Sequence, residues 1–156
     1  MVLDFAKTFA NLSQKPHYSI AFILFSAEEI GLLGSFYYTE HPLIPMNKTK
    51  FVVNLDVVGS GDDGIQIVNS TIFKKEFNLM DSLNKEHKLV KQIKLRGAAA
   101  NSDHYPFYAK GVPSFFIYSL GTYKEYHNVF DTRENVPLYA YNSIFKLVYL
   151  FAINLK

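Results

Sequence analysis

The stretch SIAFILFSAEEIGLLGS, residues 19–35, decides the fold. Ile20 to Phe25 is apolar at every position. A strand that shows water only one face alternates polar and apolar side chains; an unbroken run predicts a strand covered on both faces, as in a sheet sandwiched between helices. The run ends in two carboxylates, Glu28 and Glu29. Ala27 to Thr39 then reads as a helix stopped before Pro42.

The same alternation continues on either side. Residues 2–12 place Leu3, Phe5, Ala6, Phe9, Ala10 and Leu12 near one helix face, and Pro16 closes the segment. Phe51 to Val57 is a second buried strand. Residues 60–64 are turn chemistry, and Ile65 to Val68 is a short strand after them. Thr71 to His87 has helical periodicity, with Phe73, Phe77, Leu79, Met80 and Leu83 facing inward. Leu89 to Leu95 reads as a half-buried strand, and Arg96 to Asn101 as a small-residue loop. Ser102 is placed to cap a helix over Asp103–Lys110. Gly111 to Tyr118 is another strand, and Asn135 to Leu155 a closing helix with Pro137 in its first turn. Strands alternating with helices predict one α/β domain over 1–156, a three-layer fold with a mostly parallel or mixed sheet.

Composition narrows the function classes. The 156 residues are 49% hydrophobic and 19% charged, which is globular, and the net charge of +2 with scattered cations argues against a nucleic-acid surface. There is no cysteine, so disulfides and thiolate chemistry are excluded, while His, Asp and Glu remain able to hold a metal. Residues 1–12 lack the basic start and apolar run of a secretory signal. Ile144 to Leu155, interrupted by Lys146 and Asn154, falls short of the roughly 20 residues of a membrane span.

Sites in such sheets form beyond the carboxyl ends of the strands. Glu28 and Glu29 follow the first strand, Asp56 ends the second, and His127 lies in the loop after the strand ending at Tyr118. Carboxylate oxygen and imidazole nitrogen suit zinc and related divalent ions. Each residue alone has a plainer reading: an acidic pair answering a helix dipole, an aspartate forming a turn, a histidine in a loop. Asp62 and Asp63 read as turn residues, and His17, His41 and His87 as surface histidines.

Four segments in order carry a more specific signal. The stretch from Ala21 to Ser35, an apolar strand running into Glu-Glu and then Gly-Leu-x-Gly-Ser, resembles the signature of the M28 zinc peptidases. Val53-Asn54-Leu55-Asp56-Val57-Val58-Gly59 resembles the family's Asn-Leu-Asp-x-x-Gly segment. Ser102-Asp103-His104, with Phe107 and Gly111-Val112-Pro113, resembles its Ser-Asp-His segment. Tyr126-His127 followed by Asp131-Thr132 resembles its Tyr-His-x-x-x-Asp-Thr segment.

That resemblance implies a zinc-exopeptidase-like fold, aminopeptidase-type hydrolysis of a peptide substrate, and two zinc ions in the complete site. By motif, Glu28 would be the general base, Glu29 and His127 would hold one ion, and Asp56 the other. Tyr126 would stabilise the oxyanion; in another branch that tyrosine stands three residues before the serine of the Ser-Asp-His segment, where this chain has Ala99. Ser102, Asp103 and His104 would contact substrate or support the pocket; the plainer reading of Asp103 and His104 is helix capping and pocket support. Asp131 would orient His127, or cap the turn with Thr132. The family's first His and its bridging Asp lie in upstream segments absent from these residues, and Asp4, within the first helix, is no substitute. A partial catalytic domain, inactive by itself and prone to self-association through an uncovered sheet edge, is the expectation. The alternatives are a non-catalytic α/β remnant or binding module and a glutaminyl-cyclase-like acyltransferase on the same fold. A secreted or periplasmic parent is implied by the resemblance alone.

Overall fold

The computed structural model describes all of residues 1–156. Helix α1 (Val2–Ala10) is followed by an extended segment and then α2 (Leu33–Glu40). After a short 3-10 turn come β1 (Val52–Leu55), β2 (Gly64–Val68), α3 (Lys74–His87), β3 (Ile93–Leu95), α4 (His104–Ala109), β4 (Ser114–Leu120) and α5 (Tyr141–Asn154). The four strands form one mixed sheet in the order β1-β4-β2-β3. β4 runs parallel to β1 and antiparallel to β2, and β3 is parallel to β2.

Alternation along each strand assigns the two faces. Phe115 and Ile117 of β4 and Ile65 and Ile67 of β2 enter the main core, where Met80 of α3 and Ile144, Leu147 and Phe151 of α5 bury them, with Phe5 of α1 at one end. The opposite face carries Asn54, Phe116, Tyr118 and Gln66 and is met by α4. Helix–sheet–helix layering and a mixed sheet are thus as the sequence predicts. The inward set of α3 holds too: Phe77, Met80 and Leu83 are buried, and Phe73 and Leu79 pack partly buried against the core.

The largest departure concerns the segment the reading began from. Residues 19–26 are extended but belong to no strand, and the sheet's β1 edge is paired only with β4. Far from being covered on both faces, Phe22, Ile23 and Leu24 are 38%, 36% and 67% exposed. Three ring contacts still fix its level. Phe22 lies 6.0 Å from Phe9 of α1, in one helix layer. Phe25 lies 6.0 Å from Phe107 of α4 and 5.9 Å from Tyr38 of α2, in the other. The run sits at sheet level between the two layers, without the ladder partner that would make it a strand. Its composition was read correctly; pairing depends on a neighbour that composition does not provide.

Other boundaries shift for local reasons. α2 begins at Leu33 rather than Ala27, because Gly31 at φ +105° and Leu32 at φ 58° break the helical path. Glu28 and Glu29 therefore occupy a turn, closed by the Glu28 carbonyl accepting from the Gly31 and Leu32 amides, and not a helix start. Gly34 then passes so close to the backbone that a Cβ would stand 2.4 Å from the Ser26 carbonyl oxygen. α5 begins at Tyr141, leaving Pro137 in a long connection from Gly121 to Ala140. β3 is only three residues long, and β1 is half-buried because it is an edge strand.

Candidate active site

β1 and β4 lie side by side and point the same way, so their carboxyl ends open on one rim. Asp56 follows β1 directly, and its amide donates to the Ile117 carbonyl of β4. The 121–140 connection leaves β4 at the same rim and brings Tyr126 and His127 back over it. Irregular connections of this length are uncommon in compact domains unless they carry function. Internal bonds hold this one in shape: the Tyr123 hydroxyl donates to Asp131 at 2.7 Å, the Asn128 amide group to Glu125 at 2.6 Å, and the Thr122 hydroxyl to Asp62 at 2.9 Å.

The turn and the loop meet at the rim. His127 Nε2 lies 3.3 Å from Glu29 Oε1. Both side chains are largely exposed, 51% and 72%, and an exposed ion pair contributes little to stability. Backbone strain accompanies the approach. His127 stands at φ 61°, Ala27, just before the Glu pair, at φ 59°, and Val57, just after Asp56, at φ 52°. A β-branched residue in the left-handed region is a true outlier, and such conformations cost about 1–3 kcal/mol each. Strain clustered beside three of the four sequence-predicted polar positions marks a place where side-chain aim outweighs local backbone preference.

Asp56 is oriented by a relay. Asn54 Nδ2 donates to Ser102 Oγ at 2.7 Å, and Ser102 Oγ donates to Asp56 Oδ2 at 2.8 Å. Asn54 and Asp56 point to the same face of β1, which explains the Asn-x-Asp spacing in the sequence. Ser102 therefore fixes a carboxylate instead of capping α4. Asp103 is no cap either: it is buried and accepts from the Ser35 hydroxyl at 2.5 Å, tying the start of α4 to α2. Burial raises its pKa. His104 is fully buried, its ring 5.4 Å from Phe116, so it supports the pocket from behind and is out of reach of a substrate. Neither ring nitrogen attains hydrogen-bond geometry, although the Ser102 and Ala99 backbones are near, and burial lowers its pKa to about 4. Asp131 accepts from the Tyr123 hydroxyl, and no hydrogen bond joins its side chain to His127 or Thr132 in this structure. Asp62 lies in the turn closed by the Gly64 amide donating to the Gly61 carbonyl, and its carboxylate accepts from the hydroxyl and amide of Thr122, tying that turn to the start of the 121–140 connection.

Glu28 stands next to Glu29 in the same turn. Partial burial raises its pKa, and the negative charges of Asp56, Glu29 and Asp103 raise it further. Tyr126 stacks edge-on to His127 with ring centroids 4.0 Å apart. Burial, then Asp56, Glu29 and Glu28, raise its pKa, so its phenol stays protonated at neutral pH.

The Glu29–His127 pair fits zinc. Oxygen and nitrogen ligands stand about 2.0–2.2 Å from a tetrahedral ion, so two of them are separated by roughly 3.3 Å. The observed separation is 3.3 Å. No three His, Asp or Glu side chains converge closely enough to enclose an ion, so the pair by itself offers two donors. If Asp56 is a ligand, the Ser102 hydroxyl is its outer support, and losing such support typically costs 10–100-fold in metal affinity. Ser102→Ala is accordingly expected to weaken zinc binding about that much in the chain fused to the upstream segment of a family relative, with an unchanged melt. An unchanged zinc titration would remove Ser102 from the site.

Comparison with known proteins identifies the family and the fold. The profile of peptidase family M28 matches residues 1–152. Aminopeptidase YwaD of Bacillus subtilis is 30% identical over 125 residues, which are 75% of this chain and 28% of that protein. Among solved structures, the zinc aminopeptidase BSAP from Bacillus subtilis superposes with TM-score 0.81 at 23% identity, over 96% of this chain and 38% of that one. LapA aminopeptidase of Legionella pneumophila gives TM-score 0.81 at 21% identity, over 99% and 45%. A Porphyromonas gingivalis glutaminyl cyclase shares the fold at a lower TM-score of 0.66, with 16% identity over 83% and 49%. The chain thus spans less than half the length of each of these relatives. With the profile running through all four motif segments, from the Glu28–Glu29 turn to the His127 loop, the chain belongs to peptidase family M28.

Proposed function

We propose that these residues form the larger part of the catalytic rim of a zinc-dependent aminopeptidase-type hydrolase, with further metal ligands supplied by upstream segments. The 3.3 Å approach of His127 to Glu29, with Glu28 next in the same turn, is the observation that carries this reading. Glu29 and His127 would hold one zinc ion and Asp56 a second. Bound zinc would polarise the scissile carbonyl and acidify the attacking water. Glu28 accepts the proton of that water and returns it to the departing amine, a task that its raised pKa favours. Tyr126 donates its phenolic proton as a hydrogen bond to the carbonyl oxygen as charge develops there. Ser102, supported by Asn54, keeps Asp56 in one orientation.

Fusing the chain to the upstream segment of a family relative tests this reading. The fusion is expected to hydrolyse aminoacyl-anilides in a zinc-dependent way and to leave N-terminal glutamine uncyclised. Cyclisation without hydrolysis would assign the acyltransferase chemistry instead. A folded, zinc-loaded fusion with neither activity would favour a non-catalytic module.

A further inference from the structure

The two sides of the rim are held by different means. Asp56 and the 121–140 connection grow directly from the parallel strands β1 and β4. The Glu28–Glu29 turn has no such root. No backbone hydrogen bond joins residues 19–32 to the sheet, and those the turn makes stay within residues 26–36. Its place therefore depends on side chains, and Glu29 meets His127 at 3.3 Å only while that place is kept.

The turn leads into α2, and α2 leans on α4. Tyr38 and Phe107 face each other with ring centroids 5.7 Å apart, and Glu40 pairs with Lys110 at 2.6 Å. That ion pair is exposed and stands at the end of α2 away from the turn, so it holds little. At the turn end, Ser35 is fully buried and its hydroxyl donates to Asp103 Oδ1 at 2.5 Å. The same hydroxyl has the Leu32 carbonyl within 3.1 Å, but one proton serves one acceptor well. Leu32 already receives the Phe36 amide at 2.9 Å. The shorter, charge-assisted bond to the carboxylate is the stronger of the two.

Asp103 follows Ser102, which donates to Asp56 Oδ2 at 2.8 Å. Consecutive α-carbons are about 3.8 Å apart across a rigid peptide unit, so the anchor of the turn and the anchor of Asp56 keep a fixed spacing. The next residue ties both to the sheet: the carbonyl of buried His104 accepts from the Ser114 hydroxyl of β4 at 3.3 Å.

We propose that Asp103 is a positioning residue that, through Ser35, sets the distance of the Glu28–Glu29 turn from Asp56 and His127, a role that rests on the reading of the rim as a zinc site. Asp103 touches neither metal nor substrate in this role. It acts on Glu29 through the Ser35 hydroxyl and the first turn of α2.

The test uses the 156-residue chain, which has no cysteine, so spin labels attach only where a cysteine is introduced. Ile30→Cys places one label on the turn, where the side chain is exposed. Lys146→Cys places the other on the exposed side of α5, which packs on the sheet. Pulsed EPR on labelled chain diluted with unlabelled chain reads the distance from turn to sheet, and calorimetry on unlabelled variants reads zinc affinity. Ser35→Ala and Asp103→Ala should each broaden the distance distribution and weaken zinc binding at least about tenfold. The double variant should be no worse than either single one, because both remove the same bond. Asp103→Asn, whose amide oxygen accepts that bond, should keep a narrow distribution and most of the affinity, which separates lost aim from lost folding. An unchanged distribution in Ser35→Ala and Asp103→Ala would overturn the positioning role. So would unchanged zinc affinity in both where Glu29→Ala abolishes binding. Zinc affinity that Glu29→Ala leaves intact would overturn the reading of the rim and the role of Asp103 with it.

Discussion

Glu28→Gln, in the chain fused to the upstream segment of a family relative, is expected to reduce turnover by about 10²–10⁴-fold or more while zinc stays bound. The amide is nearly isosteric with the carboxylate but cannot take the water proton. It also removes one negative charge from a rim that holds four carboxylates, which does nothing to weaken the remaining ligands. Glu29→Ala should behave oppositely and lose metal, because it deletes one end of the 3.3 Å pair with His127. The two residues are adjacent, and both are held by the same turn, in which the Gly31 and Leu32 amides donate to the Glu28 carbonyl. A nonspecific disturbance of the turn would therefore affect both variants alike, whereas base and ligand roles separate turnover from metal content. Metal analysis and steady-state kinetics on the two variants decide it; near-normal kcat in Glu28→Gln would show the assignment to be wrong.

Self-association of the isolated chain is the second large expected effect. Between Ser19 and Phe25 the backbone joins no ladder, and Phe22, Ile23, Leu24 and Ile30 stand exposed. Burying one such side chain is worth roughly 1.5–3 kcal/mol. A net stability of about 5–15 kcal/mol leaves little margin for three or four of them uncovered. An extended apolar segment with free backbone donors and acceptors is a template for pairing with another chain. Size-exclusion chromatography should show concentration-dependent oligomers for the chain alone, and a monomer of higher Tm for the fusion. Leu24→Lys, at the most exposed position of the run, should shift the isolated chain toward monomer by putting a charge on the pairing segment. A monomeric isolated chain melting as high as the fusion would show that the open run is harmless.

Some of this was legible in the residues and some was not. Alternation of apolar runs placed β1, β2, β4 and the helices, since side-chain period is a local property. It also placed the inward face of α3. Residues 19–26 failed as a strand for a non-local reason: an apolar run expresses a demand for cover, and only a neighbouring strand can meet it. The turn at Glu28 and Glu29 was concealed by Leu32, whose left-handed conformation contradicts its own preference for helix. Ser102 illustrates the same limit. At a helix start a serine reads as a cap, yet Asp56, 46 positions earlier in the chain, accepts its hydrogen bond. Asp103 and Asp131 likewise spend their oxygens on hydroxyls of Ser35 and Tyr123, partners that spacing could not identify.

Zinc titration of the isolated chain and of two single variants tests the central claim most directly, because that claim is that Glu29 and His127 form one edge of a metal site. With two ligands for one ion and one for the other, the unmodified chain falls below the three or four protein ligands that a stable zinc site usually needs. The account predicts weak zinc binding by calorimetry, released on dialysis, and absent in both Glu29→Ala and His127→Ala while their melts stay unchanged. Weak binding that persists undiminished in both variants, or stoichiometric zinc that survives dialysis of the isolated chain, would contradict it.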